Sequence, residues 1–187
     1  MKYYKLMTDF SSNEDVVCTI ADLQGIQKFD VLKGKPAVHW NENVTFEYNA
    51  ADGSVLTDYL ANDMGWFLVS EAFKTAIQQT AEGQVEFLPV KLVETQTRQT
   101  VIYYVVNVTK VVDALDLDHS DHTFFEANNI RVLSVKKYTL LEGAIGDANI
   151  FKLLGDEIPV FVSESVRNRI EESKLTGCKF LEVGIHR

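Results

Sequence analysis

Cysteine and long hydrophobic runs are scarce in this sequence of 187 residues. The two cysteines, Cys18 and Cys178, form no C-x-x-C motif and are too few for a disulfide framework. The longest apolar run, from 101 to 108, is far shorter than the roughly 20 residues that a transmembrane helix requires. The first ten residues contain Lys5 and Asp9, so they lack the apolar region of a secretory signal. We therefore expect a cytoplasmic protein without a membrane span.

Positive charge is also in short supply. Lysine and arginine together number 18, against 27 aspartates and glutamates, which gives a formal net charge of −9. Proteins that bind nucleic acids or anionic membranes generally present a basic surface, so we expect neither as a partner. An acidic protein is compatible with a basic protein partner, because complementary charge favours their encounter.

The sequence contains none of the common motifs that carry catalysis. It has no glycine-rich phosphate loop, and no spacing supports a Ser/His/Asp arrangement. Neither Ser70 nor Ser163 lies in a G-x-S-x-G elbow, which favours a helix cap over a nucleophile at both positions. We therefore expect a protein that is not an enzyme and binds no cofactor.

Two segments of the chain resemble each other at a shift of 93 residues. Between 60–90 and 153–183 the ungapped comparison gives nine identities over 31 positions, where average composition would give roughly two. In each segment a short apolar run precedes a serine and a glutamate, and apolar residues then recur at helical spacing before a second apolar run. This pattern predicts a duplicated strand–helix–strand unit whose helices are capped by Ser70 and Ser163.

Other patterns predict further strands. Residues 85–93 and 100–108 flank a polar connector, as in a β-hairpin with a long loop, and the second run is apolar enough for a central strand. Pro89 lacks a backbone donor, which predicts an edge position or a bulge in the first strand. Residues 149–154 are interpreted as a short helix.

These elements do not alternate strictly between strand and helix, so we expect an α+β fold with mixed or antiparallel sheets and few helices. The length is that of a single domain, 1–187, containing the internal repeat of 60–90 and 153–183. Residues 1–40 are expected to form an N-terminal β extension.

The segment 113–122, DALDLDHSDH, is the part of the sequence richest in chemically active side chains. Its spacing matches neither the H-E-x-x-H zinc motif nor a calcium-binding EF-hand loop, so we assign no metal site. We interpret it as a solvated acidic loop that binds a partner through four carboxylates. These are Asp113, Asp116, Asp118 and Asp121. The alternative is the active site of a metal-dependent hydrolase. Its ligands would be Asp116, Asp118, His119 and His122.

Several motifs resemble a known family. They are WFLVSEAF at 66–73, VEFLPV at 85–90, YYVVNV and VVDALD between 103 and 116, and VFVSE and LTGCKFLEV between 160 and 183. Over residues 40–183 the chain is similar to immunity protein family eleven of the bacterial polymorphic toxin systems, formerly a domain of unknown function. The resemblance implies a cytoplasmic protein that binds and blocks a toxin encoded beside it.

Three functions are therefore weighed. The first is a non-enzymatic immunity protein that occludes a cognate toxin, and the second is the metal-dependent hydrolase. The third is a small-molecule binding module with its cleft between the two copies of the repeat. Fold class alone does not choose among them, because one fold supports many functions.

Overall fold

Strands dominate the computed structural model, which describes residues 1–9, 11–127 and 130–186. The strands in this part of the chain are β1 (Tyr3–Thr8), β2 (Val17–Asp22), β3 (Thr45–Tyr48), β4 (Tyr59–Asn62), β5 (Leu68–Val69), β6 (Val85–Glu94), β7 (Thr100–Val108), β8 (Val111–Val112), β9 (Asp121–Ala127), β10 (Ile130–Lys137), β11 (Thr139–Leu141), β12 (Ile150–Leu153), β13 (Asp156–Ser163), β14 (Cys178–Glu182) and β15 (Gly184–His186). The helices are α1 (Lys28–Leu32), α2 (Glu71–Ile77), α3 (Glu142–Ile145) and α4 (Glu164–Glu172). The predicted α+β class with mixed sheets is confirmed.

Six strands form a closed barrel in the order β2-β3-β6-β7-β5-β4. Parallel pairing of β2 with β4 closes it, and the barrel encloses a core that contains Phe46, Leu60 and Trp66. The predicted hairpin of β6 and β7 is confirmed, and β7 lies between two neighbours as expected of a central strand.

Pro89 does not mark an edge strand, because β6 lies between β3 and β7 in the barrel. The pairing of β3 with β6 begins at Lys91, so the position of Pro89 has no β3 partner that would need its missing N–H group. The carbonyl of Pro89 instead accepts a hydrogen bond from Nε1 of Trp40 at 2.8 Å. β6 therefore tolerates a proline just before the residues that pair with β3.

A second, five-stranded sheet has the order β14-β1-β13-β12-β8. The expectation of a helix at 149–154 is wrong, since Ile150–Leu153 form β12. All four residues of β12 are buried, so the segment lacks the alternation that distinguishes a strand in sequence. Residues 1–40, expected as a β extension, contain β1 inside this sheet, β2 in the barrel and the short helix α1.

Helices α2 and α4 join the barrel to the five-stranded sheet. Phe73 and Ile77 of α2 share one buried cluster with Val166 and Ile170 of α4. Each helix follows a serine that caps it: Oγ of Ser70 accepts from the amide of Phe73, and Oγ of Ser163 from that of Val166. Both segments of the expected repeat thus form a strand, a capped helix and a strand, although the duplication itself stays a prediction. No helix in the described part of the chain is long and apolar enough to cross a membrane.

Two small sheets complete the fold. β11 and β15 pair in parallel over a third buried cluster. β9 and β10 form a two-stranded antiparallel hairpin. None of its described side chains, at 121–126 and 131–137, is buried. A two-stranded hairpin is marginally stable in water by itself, and this hairpin packs against the third cluster through the partly buried Val135.

Candidate functional site

The acidic loop predicted at 113–122 consists of the connection from β8 to β9, residues 113–120, and the first two residues of β9. Its carboxylates lie in two environments. Asp113, Asp118 and Asp121 are exposed, and none of the three forms an ion pair with any described residue. Asp116 is different, because only 7% of its surface is exposed. Three of the four predicted carboxylates are therefore presented to solvent, and the fourth points into the protein.

The buried carboxylate of Asp116 meets two histidines. Its Oδ2 lies 2.8 Å from Nδ1 of His119 and 2.6 Å from Nδ1 of His186. The two imidazoles are exposed, and their ring centroids are 4.3 Å apart. A carboxylate can only accept hydrogen bonds, so in this arrangement the proton of each ring lies on Nδ1.

Strand β11 fixes the relative positions of these three residues. The amide of Asp116 donates to the carbonyl of Thr139 at 3.0 Å, and Oγ1 of Thr139 donates to the carbonyl of His119 at 2.8 Å. The same strand pairs with β15, where Leu141 faces His186. A loop and a strand that are 70 positions apart in sequence are thus held against one framework.

The surroundings of Asp116 act on its ionisation in opposite directions. Burial of the carboxyl favours the neutral form, whereas hydrogen bonds from His186, from His119 and from the His119 amide favour the charged form. The hydrogen bonds prevail, and the pKa of Asp116 lies below its usual value. The site therefore holds a carboxylate.

The ligand set considered in the sequence is only partly brought together. Asp118 is exposed, and Nδ1 of His122 lies 3.1 Å from the carbonyl of Ser120 while its ring packs edge-on against Phe124. His186 takes their place beside Asp116 and His119. Local spacing gave no signal for His186, because the pairing of β11 with β15 brings it to the loop.

A shallow groove lies next to the acidic loop. Its volume is ≈ 310 Å³, at the lower end of the roughly 300–1,000 Å³ that small-molecule pockets occupy. Leu117, Phe124 and Leu154 line it and are 38%, 41% and 57% exposed. Asp113 stands at its border, and the guanidinium of Arg131 lies 3.8 Å from the ring centroid of Phe124. The groove combines apolar side chains with a charged border, as protein interfaces do.

Comparison with known families identifies the chain. A family model described as "Immunity protein family (Imm11)" matches residues 2–184. The chain belongs to this immunity protein family. The resemblance seen over residues 40–183 is thereby confirmed, and the match extends through the N-terminal strands. No curated protein matches the chain.

The cavity that borders both segments of the expected repeat in this Imm11 chain is small. It measures ≈ 180 Å³ and is lined by side chains that include Tyr59, Phe67 and Lys152. Pockets for small molecules are usually about 300 Å³ or larger. Nζ of Lys152 is buried and donates to the carbonyl of Leu32, and burial lowers the pKa of this amine to about 8. The volume and the engaged amine favour a structural role here over the small-molecule site considered above.

Proposed function

We propose that this chain is an immunity protein that binds a cognate bacterial toxin domain and blocks it by occlusion, without catalysis. The observation that carries the proposal is the match of the immunity family model to residues 2–184. The cytoplasm is the proposed compartment. Its support is that Cys18 and Cys178 are both free thiols, as expected in a reducing environment.

We place the toxin-binding surface at the acidic loop and the adjoining groove. Asp113, Asp118 and Asp121 are exposed without an ion-pair partner among the described residues, so a basic partner can approach them without breaking existing pairs. Leu117 and Phe124 provide apolar area that is exposed in the free protein and would be buried in a complex.

The proposed partner surface is basic. Exposed carboxylates of the acidic loop attract a positively charged protein during encounter, and the apolar side chains of the groove then provide area for the bound state. The net charge of −9 acts in the same direction at longer range. This chemistry fits a toxin domain with a cationic face, such as one that acts on a polyanion.

Co-expression tests the function directly. The toxin domain encoded beside this chain's gene is expressed in a sensitive host, with and without this protein, and growth is measured together with co-purification. We expect restored growth and a stable complex. Unchanged toxicity combined with no co-purification would contradict the proposed function.

Charge reversal tests the proposed surface separately. Asp113→Lys, Asp118→Lys and Asp121→Lys are combined, and the association rate with the toxin domain is measured at low and high salt. We expect the rate at low salt to fall on the order of 10-fold or more, because electrostatic steering is reversed. The matched control makes the same charge change at exposed acidic residues of other elements. These are Asp52, Glu82 and Glu172. An equal loss in the control would show that net charge, and not this loop, governs association.

A further inference from the structure

Three potential ligand atoms converge where the acidic loop meets the C-terminal strand. A carboxylate oxygen of Asp116 and one imidazole nitrogen from each of His119 and His186 all lie within 4.8 Å of one another. The carboxylate is buried, whereas the two imidazoles reach the surface. Asp116 and His119 belong to the acidic loop, but none of the three residues of this cluster lines the groove.

We propose that Asp116, His119 and His186 form a binding site for a divalent transition-metal ion of the zinc class. Two imidazole nitrogens and one carboxylate oxygen suit Zn²⁺, Co²⁺ or Ni²⁺ better than Ca²⁺ or Mg²⁺, which prefer all-oxygen sites. Three protein ligands leave at least one coordination position for water or for a group from a partner.

The geometry requires a small adjustment when the ion enters. Ligand atoms around a tetrahedral zinc ion are roughly 3.3 Å apart, given metal–ligand distances of about 2.0 to 2.1 Å. The distances from Oδ2 of Asp116 to Nδ1 of His119 and of His186 are 2.8 Å and 2.6 Å, so each ring nitrogen must move away from the carboxylate by about 0.5 to 0.7 Å. Both rings are exposed and can move outward, while Asp116 stays fixed in the interior.

The proton balance of this step is simple. In the metal-free arrangement the hydrogen bonds to the Asp116 carboxylate require a proton on Nδ1 of each ring. When Nδ1 binds the ion, the proton of each ring lies on Nε2, so two neutral rings bind without net proton release. The ion then replaces two hydrogen bonds to one carboxylate oxygen.

The framework around the cluster favours a site over a chance meeting of side chains. Thr139 holds the backbone of both Asp116 and His119, and β11 holds β15. A bound ion would therefore link the acidic loop to the C-terminal strand through groups that are already positioned. Binding should stabilise the fold, because an unfolded chain does not bring the three ligands together.

Metal titration of the full chain tests the site. Protein purified without a histidine tag is first dialysed against a chelator. Co²⁺ is then added while visible absorption is recorded, and Zn²⁺ is used to displace it. We expect one ion per chain, a cobalt spectrum that shows imidazole coordination, and a higher Tm in the presence of Zn²⁺.

Two variants and two controls locate the ligands. His119→Gln and His186→Gln should each weaken Co²⁺ binding about 10-fold or more, because each removes a ligand. His39→Gln and His122→Gln change the remaining histidines of the chain and should leave binding unchanged. Circular dichroism checks that each variant is folded, and the wild-type titration stands independently of them.

Two results would overturn the proposal. One is the absence of both a cobalt spectrum and a Zn²⁺-dependent rise in Tm for the wild-type chain, which would leave the cluster as a hydrogen-bonded clasp. The other is metal binding that survives both His119→Gln and His186→Gln. The toxin is not needed for any of these measurements, so their failure is distinguishable from failure of the immunity function.

Discussion

The barrel and the five-stranded sheet contain the same four-strand arrangement. In the barrel the order is β4-β5-β7-β6, and in the sheet it is β12-β13-β1-β14. In both, the strand before the helix and the strand after it pair antiparallel with the same middle strand. The two helices α2 and α4 then meet in one core.

The strand register agrees residue by residue. Val69 and Pro89 face Tyr104, and Val162 and Glu182 face Tyr4. Val162 lies 93 residues after Val69, and Glu182 lies 93 residues after Pro89. This is the same shift that relates the two segments in the sequence. This register agrees with the predicted duplication, which stays a prediction. The two strand–helix–strand segments, each with its middle strand, are called below the first and second copy of the predicted repeat.

The middle strands come from different places in the chain. β7 directly follows β6, whereas β1 precedes everything else and reaches the second copy from the N-terminus. Both carry a tyrosine pair at the same position, Tyr103 and Tyr104 in one and Tyr3 and Tyr4 in the other. The second copy is thus completed by a strand from the opposite end of the chain.

The outer strands show where the two copies diverge. Val69 faces Tyr59, but Val162 faces Ile150, so the correspondence there is 91 residues and not 93. A slip of two residues keeps every side chain on its original face, which explains how it can be tolerated. The first copy is closed into a barrel, whereas β14 ends its sheet and leaves Leu181 49% exposed. The helix joint and the middle strand agree between the copies, and the differences lie at their borders.

Core truncation in the two helices should produce the largest effect. Ile77→Ala and Ile170→Ala each remove a fully buried side chain from the shared cluster, and we expect each to lower the free energy of unfolding by about 2–5 kcal/mol. Urea denaturation measures both. Thr75→Ala and Asn168→Ala, exposed and also 93 residues apart, are the controls and should change it by less than about 0.5 kcal/mol. A large loss of stability for only one of the two variants would show that α2 and α4 contribute unequally to the stability of the fold.

The second prediction concerns Lys152 in the outer strand β12. At the shift of 91 residues that relates the outer strands, the corresponding residue of the first copy is Ala61. Burial lowers the pKa of Lys152 to about 8, whereas the unfolded chain keeps the usual value of 10.5. Between these two values the unfolded state binds more protons, so the free energy of unfolding should rise with pH, by at most about 3 kcal/mol. Below pH 8 the amine is charged in both states and its burial cost is fully present.

The variant Lys152→Met lacks the contribution of Lys152 to the pH dependence of stability. Comparing it with the wild type therefore separates this contribution from those of other groups. Burial raises the pKa of Cys18 and of Cys178 to about 12, so both thiols lower stability as the pH rises above about 9. The difference between wild type and Lys152→Met, measured by urea denaturation from pH 7.5 to 9.5, cancels the thiol contribution. Lys136→Met, at an exposed position of β10, should retain the wild-type profile. A difference in stability that does not vary with pH would show that folding leaves the pKa of Lys152 unchanged.

Sequence reasoning succeeded where a local pattern had one physical cause. Ser70 and Ser163 were recognised because a cap needs an oxygen directly before the helix, and the β6–β7 hairpin because two apolar runs flank a polar connector. It failed at β12, where burial on both faces removed the alternation. Two of the three residues of the candidate site can be predicted from the sequence, because Asp116 and His119 lie in one segment rich in aspartate and histidine. His186 cannot, because a parallel strand pairing that no local pattern encodes brings it to the site.

The helix caps should give an intermediate effect. Ser70→Ala and Ser163→Ala each remove an acceptor for a first-turn amide, and we expect each to cost about 1 kcal/mol in the free energy of unfolding. Each hydroxyl also donates to a neighbour, Ser70 to Asp58 and Ser163 to Asn149, so both losses should lie above those of simple surface changes. Ser173→Ala at the C-terminal end of α4 is the control. If the two variants lose free energy of unfolding by amounts that differ more than twofold, the two caps contribute unequally to stability.

The smallest effect should come from a contact that both copies make between helix and middle strand. Nζ of Lys74 lies 4.0 Å from the ring centroid of Tyr104, and the guanidinium of Arg167 lies 4.7 Å from that of Tyr4. The two cations are again 93 residues apart. Each attracts the face of its ring, and we expect a coupling of about 0.5–1 kcal/mol for each pair.

Double-mutant cycles measure this coupling, with Lys74→Met and Tyr104→Leu in one copy and Arg167→Met and Tyr4→Leu in the other. The cycle is needed because each cation also forms a surface ion pair with a glutamate on its own helix, at 3.1 Å for Lys74 and 2.9 Å for Arg167. Repeating the cycles in 1 M NaCl screens those ion pairs more strongly than the close ring contact. Coupling in both copies would extend their agreement from backbone register to side-chain energetics. Coupling in only one copy would mean that the cation–ring contact of the other copy follows from the similar backbone and adds no stability.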